Sequence, residues 1–148
     1  EAAVQATIDD LVAKRVLTSP VADRIAVETV VAFYQSDLGE QILAHPDKVH
    51  REVPFSLLIP ARQIFDVDDQ EDGKVLIHGI IDGYLETNDG LILFDYKTDH
   101  VKQPADLKQR YAGQVKLYAE ALNSMYRDTK VIQRYLYSLP QHVFVPVD

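Results

Sequence analysis

Apolar side chains recur at helical spacing from the start of the chain to about Pro46, and at strand spacing after it. Val4, Ile8, Leu11 and Val12 share one face of a helix expected from about Ala3 to Arg15. Ser19-Pro20 reads as a helix start, with Ser as N-cap and Pro at the first helical position. The apolar positions Ile25, Val27, Val30, Val31 and Tyr34 predict that this second helix runs unbroken to Tyr34. Ser36 or Asp37 can cap a short helix through Ile42 and Leu43 that stops before Pro46.

Strand patterns follow. Val49 to Ile59 reads as a strand, with Pro54 marking an edge or a bulge. A polar, acidic connection spans Arg62 to Asp72. Lys74 to Thr87 and Leu91 to Thr98 read as two more strands, joined by the hairpin signal Asn88-Asp89-Gly90. A long amphipathic helix is predicted from about Pro104 to Tyr126, with Leu107, Tyr111, Val115, Tyr118 and Leu122 on one stripe. Val131 to Leu139 gives a fourth strand and Val143 to Val147 a candidate fifth. The fold class is α+β: a mixed β-sheet of four to five strands flanked by helices, after an N-terminal helical segment.

The hairpin carries the chemistry. Its sequence, GIIDGYLETNDGLILFDYKTD, spans residues 79 to 99. Asp95 and Lys97 are two apart and point to one face. A loop at Asn88-Asp89 pairs Asp82 with Asp95, and a loop at Asp89-Gly90 pairs it with Lys97. Either register puts all three on one face, and a one-residue slip would separate them. Ile80, Ile81 and the run Leu91 to Phe94 make that neighbourhood apolar. Paired carboxylates there repel, and each takes up a proton unless a cation neutralises it. A hard divalent ion on Asp82, Asp95 and a backbone carbonyl resolves the conflict. Lys97 is then placed to neutralise charge on a phosphate or to position water. The plainer alternative is an Asp–Lys ion pair on a solvated sheet face.

Three segments together resemble the PD-(D/E)XK nuclease superfamily, in its RecB-like branch, and within that the C-terminal nuclease domains of the AddA/RexA group of ATP-dependent helicase-nucleases. They are Gly79-Ile80-Ile81-Asp82-Gly83, Asp95-Tyr96-Lys97-Thr98-Asp99 and Gln114-Val115-Lys116-Leu117-Tyr118, and the resemblance covers roughly residues 49 to 140. It implies a restriction-endonuclease-like core, with Asp82, Asp95 and the Tyr96 carbonyl as metal ligands and Lys97 as the catalytic lysine. It adds Glu52, which precedes Pro54-Phe55, and the helix pair Gln114 and Tyr118 as catalytic-site residues. The implied cofactor is Mg²⁺, with Mn²⁺ able to substitute and ATP used only by a helicase part outside this chain. The implied partners are DNA and a second subunit of the AddB/RexB type. The implied function is a DNA exonuclease domain acting in double-strand-break repair and recombination. One departure stands out: the family carries a metal-ligating His on an upstream helix, and no His precedes Ser36. His45, His50, His78 and His100 do not fit that motif. On regular alternation His78 shares the Asp82 face, but roughly 13 Å away along the strand, too far for a shared ion. The expectation is therefore a single nuclease-domain fragment truncated at its N-terminus. Residues 1–46 form a helical lead-in and 47–148 the nuclease core, and the fragment alone cleaves weakly or not at all.

Composition narrows the alternatives. The 148 residues include no Cys, so disulfides, thiolate metal sites, iron–sulfur clusters and a Cys nucleophile are excluded, and a reducing, cytoplasmic setting is the default. The net charge of -8 excludes a wholly polycationic nucleic-acid binder. Charge is uneven: residues 51–100 hold 4 basic and 11 acidic side chains, whereas 101–148 hold 7 and 4. Lys102, Lys108, Arg110 and Lys116 surround Gln114 and are candidate phosphate contacts. No Walker A pattern or membrane-spanning run occurs. The rival reading is a non-catalytic DNA-binding or subunit-docking module with the same fold, against which the intact Asp82, Asp95 and Lys97 argue. A stand-alone restriction-type nuclease is a third.

Overall fold

A computed structural model describes residues 1–63 and 73–148. Four helices come first: α1 (Ala2–Ala13), α2 (Ser19–Ala22), α3 (Val27–Tyr34) and α4 (Asp37–Ala44). Then come β1 (Val49–Pro60), β2 (Lys74–Glu86), β3 (Leu91–Lys97), α5 (Ala105–Met125), β4 (Val131–Ser138) and β5 (Val143–Pro146). The sheet order is β1-β2-β3-β4-β5. β1, β2 and β3 pair antiparallel, β3 and β4 pair parallel with α5 as the crossover, and β4 and β5 pair antiparallel. A five-stranded mixed sheet flanked by helices is the α+β arrangement expected from the pattern. The acidic connection expected from Arg62 to Asp72 lies, beyond Gln63, outside the described residues. No described helix is long and apolar enough to cross a membrane.

Helices cover both faces of β3, and its near-continuous apolar run follows from that. Leu91 and Leu93 face α5, where they join Leu107, Val115, Leu122 and Leu136. Ile92 and Phe94 face α3 and α4, where they join Phe33, Leu38, Ile42 and Tyr137. Gly39 lets these two helices meet, because a Cβ there would lie 2.1 Å from the Phe33 carbonyl oxygen. Ser36 caps α4, its hydroxyl accepting from the Gly39 amide at 3.1 Å.

The single helix expected from Ser19 to Tyr34 is instead two. Ala26 is extended, with ψ 96°, and the amides of Arg24 and Ile25 bond three residues back rather than four. The break is a packing compromise: α2 and α3 both touch α1, and α3 also turns to press Phe33 onto the sheet. Thr18 rather than Ser19 takes the N-cap position, which moves Pro20 one place into the helix.

One irregularity positions the site. Val53, Phe55, Ile77 and Ile81 face α5, yet Val49 and Leu85, an even number of residues away, face α3 and α4. Side-chain alternation therefore reverses in both strands at once, between Val49 and Val53 and between Ile81 and Tyr84. Their register is the same on either side, with Arg51 opposite Gly83 and Val53 opposite Ile81, and the ladder skips the residues between. Glu52, opposite Asp82, takes a left-handed φ of 51°. Gly83 is required by close approach: a Cβ there would lie 2.3 Å from the Phe94 ring. Gly83→Ala is expected to lower the unfolding free energy by about 1–3 kcal/mol through overpacking. Gly113→Ala on α5, where an added Cβ meets nothing within 4 Å, is expected to raise it by up to ~1 kcal/mol. Urea unfolding measures both; equal effects would contradict the close approach of Phe94.

Candidate active site

The hairpin turn sets the register that brings the acidic residues together. The Thr87 amide bonds the Gly90 carbonyl at 2.9 Å and the Thr87 hydroxyl bonds the same oxygen at 2.7 Å, so Asn88 and Asp89 form the tip. Of the two registers open to the sequence, this one sets Asp82 across from Asp95. The β2–β3 ladder ends one pair earlier, at Gly83 and Phe94. Beyond it the Asp82 side chain takes the place of a backbone acceptor: its Oδ2 receives the Tyr96 amide at 2.8 Å.

The Tyr96 carbonyl also points into this opening. The Leu139 amide donates to the Lys97 carbonyl at 2.9 Å, on the β4 side. Successive carbonyls alternate along a strand, so that of Tyr96 faces β2 and Asp82. Two carboxylates and one backbone carbonyl thus meet where the strands part.

Asp95 is 2% exposed. Burial raises its pKa above the usual aspartate range, the adjoining Asp82 carboxylate adds to the rise, and the Lys97 ammonium opposes it. Lys97 Nζ lies 2.5 Å from Asp95 Oδ2. Yet that oxygen accepts no well-aligned hydrogen bond among the described residues, so the contact is one of charge. Lys97 Nζ instead donates to Gln114 Oε1 at 2.7 Å and sits 4.0 Å from the centre of the Tyr111 ring. Gln114 Nε2 in turn donates to the Tyr118 hydroxyl at 3.1 Å. Burial, with the charges of Asp95 and Asp82, holds the Tyr118 phenol in its neutral form. A continuous line therefore runs from Asp95 through Lys97 and Gln114 to Tyr118.

The remaining sequence candidates lie outside this line of contacts. Glu52 is exposed and lines a small cavity of about 310 Å³ with Arg51, Asp82 and Tyr96. It does not complete a cluster with the two aspartates: among the described residues no three His, Asp or Glu side chains converge. Lys108 pairs with Asp148 at 2.5 Å and Arg110 with Asp99 at 3.3 Å, whereas Lys102 and Lys116 are exposed without an ion pair among the described residues. His78 bonds the Ser56 hydroxyl at 2.8 Å, and the reversed alternation removes the common face with Asp82 expected of a regular strand.

Tyr111 was legible only as a core stripe position. Its hydroxyl donates to both oxygens of Asp99, at 2.9 and 3.0 Å, while its ring supports Lys97. The signal that could have found it was its spacing: three residues before Gln114, on the same helical face.

The donor set is all hard oxygen, which suits Mg²⁺ or Mn²⁺ over softer metals. The unaligned, buried Oδ2 of Asp95 and the carbonyl of Tyr96 both fit such an ion.

Relatives carry a matching segment within longer chains. The chain is 77% identical over 148 residues to the A subunit of the ATP-dependent helicase/nuclease of Lactiplantibacillus plantarum, covering 100% of this chain and 12% of that protein. It is 54% identical over 142 residues to the protein of that name from Levilactobacillus brevis, covering 92% and 11%. For the one from Lacticaseibacillus casei the identity is 47% over 136 residues, covering 91% and 11%. The chain thus spans about 12% of the length of these relatives. The PD-(D/E)XK nuclease superfamily model matches residues 1–144, so the helices before the sheet are included in the match. With that match over nearly its whole length, and with Asp82, Asp95 and Lys97 gathered at the parting of two strands, the chain belongs to the PD-(D/E)XK nuclease superfamily.

Proposed function

We propose that this chain is the metal-dependent DNA-hydrolysing domain of a helicase-nuclease, an exonuclease acting in double-strand-break repair and recombination. The observation that carries the reading is the pairing of two carboxylates, one fully buried, beside an ammonium group that no other acidic side chain neutralises among the described residues. The names of the relatives support the helicase-nuclease setting. DNA as substrate, a second subunit of the AddB/RexB type and a cytoplasmic location follow from the same reading.

Asp82, Asp95 and the Tyr96 carbonyl would hold Mg²⁺ or Mn²⁺. The ion supplies a Lewis acid for the phosphodiester and lowers the pKa of attacking water. The protein contributes alignment and charge. Asp82 is fixed by the Tyr96 amide, so its free oxygen keeps one direction. Lys97 is held from three sides, by Asp95, Gln114 and the Tyr111 ring, which leaves its charge pre-positioned for the negative charge that develops on phosphate. Phosphoryl transfer depends on such alignment more than on covalent chemistry. Lys102 and Lys116, without ion pairs among the described residues, are the best placed of the basic candidates to meet neighbouring phosphates.

Mn²⁺ is expected to bind with a dissociation constant of about a millimolar or tighter, and Asp82→Ala should abolish binding. Calorimetry giving equal affinities for the two proteins would sink the metal assignment. Because burial raises the Asp95 pKa, protons compete with the ion at this carboxylate. Affinity should therefore fall on acidification, at higher pH than an exposed aspartate would require. The metal-free fold responds in the opposite sense. The raised pKa gives it a contribution that is present at low pH and lost as pH rises through the Asp95 value.

In the full-length helicase-nuclease subunit Lys97→Ala should lower hydrolysis of single-stranded DNA by about 10²–10³-fold, while the Mn²⁺ affinity of this chain holds or improves, since a competing cation has left Asp95. Release of labelled nucleotides with Mg²⁺, with EDTA as control, reads the first effect. A large loss of Mn²⁺ affinity in this variant would show that Lys97 acts through the metal site rather than on phosphate.

A further inference from the structure

A lysine ammonium ends a flexible four-carbon stem, and its charge meets a developing charge only if that stem is held still. The three supports of Lys97 are unequal. Asp95 holds it by charge alone, and an ion on Asp95 would claim much of that charge. Gln114 and the Tyr111 ring then carry the ammonium between them. Gln114 is itself tied down by its bond to the Tyr118 hydroxyl. The Tyr111 ring is tied down by a carboxylate outside the line of contacts already described, that of Asp99.

Asp99 lies past the end of β3, with its side chain 26% exposed. Tyr111 reaches it from α5 and donates to both of its oxygens, at 2.9 and 3.0 Å. A phenol gripped at its hydroxyl end cannot swing about its Cα–Cβ bond, so the ring face stays 4.0 Å from Lys97 Nζ. The same bond has an electronic effect. An anionic acceptor draws on the phenol proton and enriches the ring, and a more negative ring face attracts a cation more strongly. The bond to Asp99 also raises the Tyr111 pKa, so the phenol keeps its proton and remains a donor.

Two observations distinguish this arrangement from a simple anchor for the helix. Asp99 already has a cation, Arg110, at 3.3 Å, so its charge needs no phenol to be neutralised. Tyr111, Gln114 and Tyr118 also follow one face of α5 at spacings of three and four, and all three belong to the support of Lys97.

We infer that Asp99 is a positioning residue for Lys97, acting through Tyr111: it fixes the ring beside the ammonium and enriches the ring face. The inference rests on the nuclease reading for its consequence in rate, and adds to the site a carboxylate that acts at one remove from the reacting atoms.

Asp99→Asn keeps the side-chain shape and removes the charge, whereas Tyr111→Phe keeps the ring and removes the hydrogen bond. Hydrolysis of single-stranded DNA by the full-length helicase-nuclease subunit, with Mg²⁺ and without ATP, should show kcat lowered about 2–30-fold in either variant. KM should hold in Tyr111→Phe and hold or fall in Asp99→Asn, which frees Arg110 for phosphate. In the Tyr111→Phe background Asp99→Asn should lower kcat no further. Phenylalanines with one, two and three ring fluorines at position 111 nearly keep the ring's size and weaken its face, so log kcat should fall in step with the fluorine number. In this chain without metal, the Lys97 ε-methylene protons should show an upfield ring-current shift by NMR. That shift should shrink in Asp99→Asn while the rest of the spectrum stays that of the folded chain.

Wild-type kcat in Asp99→Asn, beside loss of activity in Lys97→Ala, would overturn the inference and leave the nuclease reading standing. A further loss on adding Asp99→Asn to Tyr111→Phe, or a fluorine series without a trend, would overturn it too. Absence of hydrolysis in the wild-type subunit would instead strike at the nuclease reading, and an unmoved Lys97 shift in Asp99→Asn would then overturn the positioning separately.

Discussion

Asp95 and Lys97 put opposite charges two residues apart on the central strand, where water scarcely reaches either. Their side chains are 3% and 11% exposed. Removing two charges from water is costly, and their mutual attraction offsets that only when the remaining valences are met. Here they are met from the helix: Gln114 accepts from the ammonium and the Tyr111 ring lies beneath it. The carboxylate is met less completely, with one oxygen lacking an aligned donor. The pair thus ties β3 to α5 and leaves one carboxylate oxygen neutralised by charge alone. Buried pairs of this kind are poor devices for stability alone, which fits a strand that supports chemistry as well as a core.

The geometry around the pair follows from how the neighbouring strands behave. β1 and β2 keep their register yet reverse their faces together, with Glu52 strained at the crossing. The reversal lets the outer hairpin lay Phe55 and Ile77 against α5 while its inner end sends Val49 and Leu85 to α3 and α4. Asp82 lies at that crossing, so its carboxylate is free to act as an acceptor for β3 rather than to fill a layer. The glycine after it admits the Phe94 ring, which closes the two strands up to the last ladder pair.

This division explains what the sequence disclosed. Period-two spacing placed Asp95 and Lys97 on one face, because β3 pairs regularly with β4 from Ile92 to Lys97. The helix stripe gave Leu107, Val115, Tyr118 and Leu122, because α5 is uninterrupted. The choice between two hairpin registers was not legible, since it turned on Thr87 bonding Gly90. The face reversal was hidden for a different reason: it belongs to two strands jointly, β1 has neither glycine nor proline between Val49 and Val53, and Gly83 in β2 reads equally as a close-packing glycine. The break between α2 and α3 was hidden too, because apolar spacing records which residues are buried but not that α3 must reach the sheet as well as α1. Tyr111 read as core, and its ring is indeed packed, but what it packs against is an ammonium group.

Along β3 the side chains of Leu91 and Leu93 belong to one core, those of Ile92, Phe94 and Tyr96 to the other, and Asp95 and Lys97 to the site. Seven consecutive residues thus serve three assemblies by changing face at every step. Individual side chains here can drift over evolutionary time, since an apolar residue of similar volume restores either core. The length cannot. One codon gained or lost between Leu91 and Asp95 would exchange the two cores and turn the carboxylate toward α3 in the same event. Descendants of this chain should therefore differ from it by substitution in β3, and keep their insertions for connections outside it.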